Sequence, residues 1–371
     1  MKKAGIITTY FATNFGAMLQ PFAMKRTLEK LGLDVEIIRY TQPHVYNVYN
    51  PLYYRKFVRK NIFAVLEHLE GLVVQLRKRR VYQKYLLKYL NPEPGFCDKI
   101  PKNKDYYFFG SDQIWNPVVT GGYDKIYFGE FPAEERAKKI AYAASAEAIK
   151  DTPEDIIFFK KNLKNFDAIS VREQKLNDDL TKKIGYTGIT TVLDPTLLAD
   201  QSIYDEIEHV NPLAGKKFVL FYKIRDCMYF ADKIYEYAKS INAEMLILSS
   251  WYEKNIVKFA RKHAKVTYIP DAGVEIFLGA IKNAECVFTP SFHGCVFPIL
   301  NHRKFYSLVL RDSWNTRAAD LLNLLKLQDR LLCIEDEILD KPIDFTDADR
   351  ILGQRREDSM KFIKDAIGDK L

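Results

Sequence analysis

Short runs of β-branched and aromatic residues alternate along this chain with segments whose apolar residues recur at helical spacing, and the alternation starts twice. KAGIITT (3–9) and LDVEIIR (33–39) flank a helical pattern of Met18, Leu19, Phe22, Ala23, Leu28 and Leu31 that stops at Gly32. YYFFG (106–110), KIAYAAS (139–145), DAISV (167–171) and ITTVLD (189–194) continue the strand series, with helical stretches at 153–163 and 173–183. After the polar, Pro- and Gly-containing stretch HVNPLAGKK (209–217), the series restarts. Strands are expected at 217–223, 244–250, 266–269, 286–291 and 305–310, with helices at 229–240, 254–262 and 274–282 between them. Strands separated by helices pair in parallel, and parallel sheets are covered by helices on both faces.

The expected fold class is therefore α/β, with two Rossmann-like domains facing a cleft in a glycosyltransferase-B-like arrangement. In such folds, ligands sit at the carboxyl ends of the strands. The boundaries read as an N-terminal domain 1–208 on the acceptor side, a C-terminal domain 209–345 on the donor side, and a helical tail 346–371. Chains of this length usually divide in this way.

One segment departs from the alternation. Residues 53–90 hold ten Lys or Arg and two Glu, which is the whole of the chain's net charge of +8. Their central apolar residues follow a helical period, so a basic helical hairpin inserted in the first domain is expected, with Tyr53, Tyr54, Phe57, Tyr82, Tyr85 and Tyr89 interleaved among the cations. It is either a helix pair packed on the first domain or another subunit, or a surface for anionic lipid; nucleic acid is not the expected partner. No run reaches the roughly 18 apolar residues of a membrane-spanning helix, and the start of the chain lacks a secretory pattern. Five dispersed cysteines without a Cys-x-x-Cys pair point to neither disulfides nor zinc, and to a cytoplasmic setting.

The chemistry-bearing residues cluster where strands end. TNFGAMLQ (13–20) puts Asn14 and a glycine at the start of a helix, where exposed amides suit an anion or a sugar hydroxyl. It lacks the GxGxxG pattern of dinucleotide folds. GSDQIWNP (110–117) joins Asp112, Gln113, Trp115 and Asn116 after a strand, either as a carbohydrate site or as a capped loop with Trp115 in the core. Arg172 ends another strand, either as an anion ligand or in a structural ion pair. Asp194-Pro195 reads as a turn. TPSFHG (289–294) sets His293 at a helix start with Ser291 and Gly294 beside it, and Arg311 and Arg317 precede the next helix.

With these residues in view, the sequence resembles the polysaccharide pyruvyl transferase family. The resemblance is carried in order by NFGAMLQPFAM (14–24), GSDQIWNP (110–117), AYAASAE (141–147), ISVRE (169–173), LDPTLL (193–198), SFHGCVFPIL (291–300) and R-x-x-D-L-L (317–322). It implies a glycosyltransferase-B-like fold and transfer of an enolpyruvyl unit from phosphoenolpyruvate to a sugar of a surface or capsular polysaccharide precursor, leaving a pyruvate ketal. By resemblance, His293 is the general acid and Arg172 holds the donor. Asp112 is the expected base. Ser291, Gly294, Arg311 and Arg317 are expected on the donor side, and Asn14, Gln20, Gln113, Trp115 and Asn116 on the acceptor side. No metal or cofactor is expected beyond phosphoenolpyruvate as co-substrate. The acceptor is expected as a sugar, with a lipid-linked oligosaccharide met at the inner face of the cell membrane as one form of it.

One departure stands out: many family members carry Arg-Leu-His where this chain has Ser291-Phe292-His293, so Arg311 or Arg317 is expected to supply the missing charge. The competing reading, a nucleotide-sugar glycosyltransferase, needs a ribose-binding carboxylate, for which Glu275 is the nearby residue.

Overall fold

The computed structural model describes residues 1–50, 62–92, 100–146, 149, 152–311 and 316–368. The first sheet contains β1 (Lys3–Ile7), β2 (Asp34–Ile37), β3 (Tyr106–Phe109), β4 (Lys138–Ala144), β5 (Ala168–Val171) and β6 (Thr190–Thr191). Helices α1 (Phe15–Lys30), α2 (Pro43–Tyr49), α3 (Ile62–Tyr85), α4 (Pro117–Thr120), α5 (Pro153–Asn162), α6 (Gln174–Asp179) and α7 (Pro195–Leu198) accompany it. The second sheet contains β7 (Phe218–Lys223), β8 (Glu244–Ser249), β9 (Val266–Ile269), β10 (Cys286–Thr289), β11 (Phe305–Leu308) and the two-residue β12 (Leu331–Leu332). Its helices are α8 (Ala231–Ser240), α9 (Lys254–Lys262), α10 (Val274–Asn283), α11 (Phe292–Leu300) and α12 (Thr316–Leu324), followed by α13 (Thr346–Ile367).

All pairings in the two sheets are parallel. Strand order is β2-β1-β3-β4-β5-β6 in the first sheet and β12-β11-β10-β7-β8-β9 in the second. Order reverses between β1 and β3 and between β7 and β10, the two points where crevices open at the carboxyl ends of strands. The strands there are apolar and buried: YYFF in β3, CVFT in β10 and FVLFYK in β7. Burial on both faces explains why these read as continuous apolar runs. This is the expected two-domain α/β fold.

An aromatic core joins the domains. Phe15 of α1 stacks on Phe277 of α10 with ring centres 4.4 Å apart and meets Tyr222 of β7 at 5.1 Å. Such pairs add about 0.5–1.5 kcal/mol each beyond the area they bury. Helix α13 returns to the first domain. Tyr106 Oη donates to the Ile367 carbonyl at 3.0 Å, and the Leu193 amide donates to Ser359 Oγ at 3.0 Å.

The basic insertion is one long helix, α3, continued by a wider turn at 86–90; residues 53–61 lie outside the described part. Tyr85 and Tyr89 are buried in the core, so these rings are unavailable to lipid or bases; Tyr82 is buried as well, with part of its ring in a cavity wall. Lys78 is buried too, donating to the carbonyls of Ser249 (2.7 Å) and Ser250 (2.9 Å) in the second domain. Among the described residues, no helix is long and apolar enough to cross a membrane.

Candidate active site

A cavity of about 210 Å³ lies between the two sheets, where both strand orders reverse. The loop after β1 supplies Thr9 and Asn14, the loop after β3 supplies Asp112 and Gln113, and the chain after β7 supplies Arg225. Ser250 and Trp251 follow β8, while Ser291, Phe292 and His293 follow β10. Helix α12 contributes Arg317 and α2 contributes Tyr49.

His293 occupies the second position of α11, whose first turn is capped by Ser291 Oγ accepting from the Gly294 amide at 3.2 Å. Two contacts from the first domain grip its ring. On one side, Gly16 comes so close that an added Cβ would fall 2.0 Å from Nδ1 and 2.4 Å from Cγ. The glycine at this turn therefore admits a histidine of the other domain, where the sequence suggested a ligand. On the other side, Asp194 Oδ1 stands 3.6 Å from Nε2, which is buried and lacks a hydrogen-bond partner.

Asp194 is itself fully enclosed. Oδ1 accepts from the Thr196 amide (2.9 Å) and Thr196 Oγ1 (2.6 Å). Oδ2 accepts from Arg172 Nη1 (2.9 Å) and lies 3.1 Å from Ser111 Oγ. Burial alone would raise its pKa, but His293, then Arg172 and the Thr196 hydroxyl outweigh that, and the carboxyl is held well below the usual carboxylate range. Asp194 is thus a fixed anion behind the imidazole.

Several expected residues stand elsewhere than their assigned roles require. Arg172 does not face this cavity. Its Nε donates to Glu173 Oε1 (2.8 Å), Nη1 to Asp194 and Nη2 to Ser145 Oγ (2.9 Å), and its guanidinium lies over the Phe292 ring at 4.6 Å. Burial opposes its charge, yet Glu173, Asp194 and Asp112 more than offset that and raise its pKa. It makes the structural ion pair of the two readings, with Glu173 and Asp194.

Gln20 is fully buried: it donates to Thr8 Oγ1 (2.7 Å) and accepts from the Ser111 amide (3.0 Å), bracing the serine that reaches Asp194. Trp115 is also fully buried, stacked on Phe128 at 5.2 Å with Nε1 donating to the Tyr127 carbonyl. Asn116 caps α4 through the Val118 amide. Apolar neighbours on every side draw the indole inward, and the loop needs its polar groups for capping. Gly294 makes room for Thr289, whose Oγ1 would be 2.4 Å from an added Cβ, and so serves packing within the domain. Arg311 lies over Tyr229 at 4.5 Å, outside the cavity; Arg317 lines it. Glu275, half-buried in α10, does not line the cavity either.

The cavity does collect Asn14, Asp112, Gln113, Ser291, His293 and Arg317. Asn14 Oδ1 caps α1 by accepting from the Gly16 amide (3.0 Å), and Asp112 Oδ2 accepts from Thr9 Oγ1 (3.2 Å). Sequence reasoning missed Asp194, Arg225 and Ser250, and the aromatic wall of Trp251, stacked on Tyr49 at 5.1 Å. A carboxylate before a proline, within the LDPTLL stretch that carries part of the resemblance, was the mark of Asp194, and a turn explains it equally well.

The site has the equipment to hold an anion. The amino termini of α1 and α11 both open on it, and each carries partial positive charge. Arg225 and Arg317 add full charges. Nε2 of His293 is turned to Asp194, and Nδ1 to Gly16. Among the described residues, no group of three or more His, Cys, Asp or Glu is arranged to hold a metal ion.

The family model for polysaccharide pyruvyl transferase matches residues 14–312, which include every wall of this cavity except Thr9, Ala12 and Arg317. No curated protein matches the chain in sequence. Among solved structures, the UDP-GlcNAc 2-epimerase of Methanocaldococcus jannaschii is similar at 13% identity, covering 96% of this chain and 92% of that one, with a TM-score of 0.49. The S. aureus MnaA–UDP co-structure is similar at 12% identity over 99% of this chain and 93% of that one, TM-score 0.49. The glycosyltransferase SsfS6 of Streptomyces sp. SF2575 is similar at 10% identity over 98% and 99%, TM-score 0.42.

Proposed function

Because the chain belongs to the polysaccharide pyruvyl transferase family, we propose that it moves an enolpyruvyl unit from phosphoenolpyruvate to two hydroxyls of a sugar in a surface or capsular polysaccharide precursor, closing a pyruvate ketal and releasing phosphate. The observation that carries this reading is His293, gripped between Gly16 and Asp194 at the amino-terminal end of α11.

The donor is a compact anion bearing carboxylate and phosphate. The α1 and α11 termini with Arg225 and Arg317 supply charge of the right sign, and Ser291 supplies a hydroxyl. Arg317 takes the role that an arginine two residues before His293 has in many relatives.

Protonated His293 gives its proton to the methylene carbon of the donor, and the adjacent carbon becomes electrophilic. A sugar hydroxyl adds there and loses its proton, with Asp112 as the base on the acceptor side. Breaking the carbon–oxygen bond to phosphate lets the second hydroxyl add and close the ketal. The two hydroxyl protons balance the one gained by the new methyl group and the one carried off by phosphate. Asp194 stabilises the imidazolium, and Arg172, Ser111 and Gln20 keep Asp194 in place.

Exposed Arg77, Arg80, Lys84 and Lys88 on the insertion are the groups an anionic membrane surface would meet, in keeping with a lipid-linked acceptor at the cytoplasmic face.

The test is incubation with phosphoenolpyruvate and a panel of disaccharide acceptors. Phosphate is followed by phosphorus NMR and the ketal methyl group by proton NMR. The expected result is acceptor-dependent appearance of both, reduced about 10²- to 10⁴-fold in His293→Gln. Phosphate release that is equal in His293→Gln contradicts the proposal.

A further inference from the structure

The first domain holds a second and larger cavity, of about 450 Å³, which shares the wall residue Tyr49 with the cleft. It lies between the loop after β1, α2 and α3. Tyr10, Tyr46, Tyr49 and Tyr82 give it aromatic faces, and Arg39 and Arg79 give it charge. Among the described residues, no Asp or Glu lines it.

One of these residues points to a ligand. Arg79 is half-buried with its guanidinium over the Tyr46 ring at 5.9 Å, and among the described residues no carboxylate pairs with it. Its neighbours Arg77 and Arg80 are exposed on the same helix, so Arg79 is the cation of that run turned into the cavity. A guanidinium on a cavity wall, beside an aromatic face and without a carboxylate partner among the described residues, suits an anionic group.

We propose that this cavity is a distal acceptor subsite, which takes a sugar ring carrying an anionic group on Arg79 while the reacting sugar sits in the cleft beyond Tyr49. The inference rests on the reading that a sugar acceptor reacts in the cleft, and it adds the requirement that the acceptor be charged next to the reacting unit. Aromatic faces suit sugar rings, and a guanidinium suits either a phosphate or a carboxylate.

The experiment is calorimetric binding of three probes to the whole protein: a hexose 1-phosphate, a hexuronic acid and a neutral methyl hexoside. It is run on wild type, Arg79→Gln, Arg79→Lys and Gln83→Trp, the last filling the cavity from its solvent edge. Phosphoenolpyruvate is measured separately on the same proteins. The expected result is binding of one anionic sugar at least about tenfold tighter than the neutral one, the worth of one charge-assisted hydrogen bond. That preference is lost in Arg79→Gln and Gln83→Trp and partly kept in Arg79→Lys, with phosphoenolpyruvate binding unchanged throughout. The two anionic probes distinguish phosphate from carboxylate as the source of the charge. The proposal is overturned if wild type binds none of the sugars, if the preference survives Arg79→Gln and Gln83→Trp, or if Arg79→Gln loses phosphoenolpyruvate instead. Failure of wild type to bind phosphoenolpyruvate, with the sugar results intact, would count against the donor and leave the subsite standing.

Discussion

Gly16 of the first domain and His293 of the second are in contact, so close that a Cβ on Gly16 would fall 2.0 Å from the imidazole Nδ1. Asp194 stands on the far side of the ring at 3.6 Å, so the imidazole has little room to retreat. Gly16→Ala is therefore expected to displace His293. Overpacking costs about 1–3 kcal/mol, which a 371-residue protein tolerates, while a shift of about 1 Å in a reacting group costs about 100-fold in rate. The check is kcat together with the melting temperature: activity falls by about two orders of magnitude while the protein stays folded. Full activity in Gly16→Ala would mean that the ring position does not matter.

Arg317 lines the cleft and Arg311 stacks on Tyr229 outside it. Arg317→Ala is expected to weaken phosphoenolpyruvate binding by about 10- to 100-fold, the worth of about 1.5–3 kcal/mol for hydrogen bonds to a charged group. Arg311→Ala is expected to leave it unchanged. Titration calorimetry with both variants decides; equal effects would remove Arg317 from the donor site.

Trp115 is buried in the core, and Trp251 stands at the cleft wall where the sequence placed Trp115 as one of two readings. Trp115→Ala opens a core cavity and is expected to cost about 3–5 kcal/mol of stability. Trp251→Ala is expected to cost less than about 1.5 kcal/mol of stability, the scale of its stack on Tyr49. It is also expected to raise the acceptor KM by about tenfold, with the donor KM unaffected. Denaturant melts and acceptor titrations separate the two; a changed donor KM in Trp251→Ala would argue against the assignment.

Lys78 predicts a pH dependence. Burial brings its pKa down to about 7 against a partial upward pull from Asp271. The unfolded chain then holds a proton on this amine, up to the ordinary lysine value of about 10.4, that the folded chain has already released. The unfolded state binds more protons over that interval, so stability from this group rises with pH between about 7 and 10, by at most about 1.4 kcal/mol per pH unit. Below pH 7 both states are protonated and the contribution is flat. Urea melts across this range on wild type and Lys78→Met test it: the difference between them is expected to grow with pH, and a constant difference contradicts the shift.

The alternation of apolar runs and helical patterns marked nearly every strand, because strands buried on both faces have few ways to look like anything else. Short β12 and the wide turns at 86–90 and 180–184 left no such mark, since two to five residues carry no period. In the site, His293, Ser291, Asn14, Asp112, Gln113 and Arg317 were legible because polar residues after an apolar strand are exceptional there. Long-range pairing was not legible. Whether Arg172 meets a ligand or Asp194, and whether Gly16 admits a substrate or a histidine, depends on which elements the fold brings together across 22 residues in one case and 277 in the other. Lys78 shows the same limit, because a cation in a run of four cations carries no sign that one carbonyl pair will bury it.

Direct binding tests most simply that the cleft between the two sheets takes phosphoenolpyruvate. Thermal melts in the presence of chelator are recorded with phosphoenolpyruvate, and separately with a set of nucleotide sugars, on wild type and Arg317→Ala. A ligand at about 100 times its Kd stabilises the native state by about 2.7 kcal/mol, enough to raise the midpoint by roughly 2–4 °C. That rise is expected with phosphoenolpyruvate alone, diminished in Arg317→Ala. A rise with nucleotide sugars and none with phosphoenolpyruvate would contradict it.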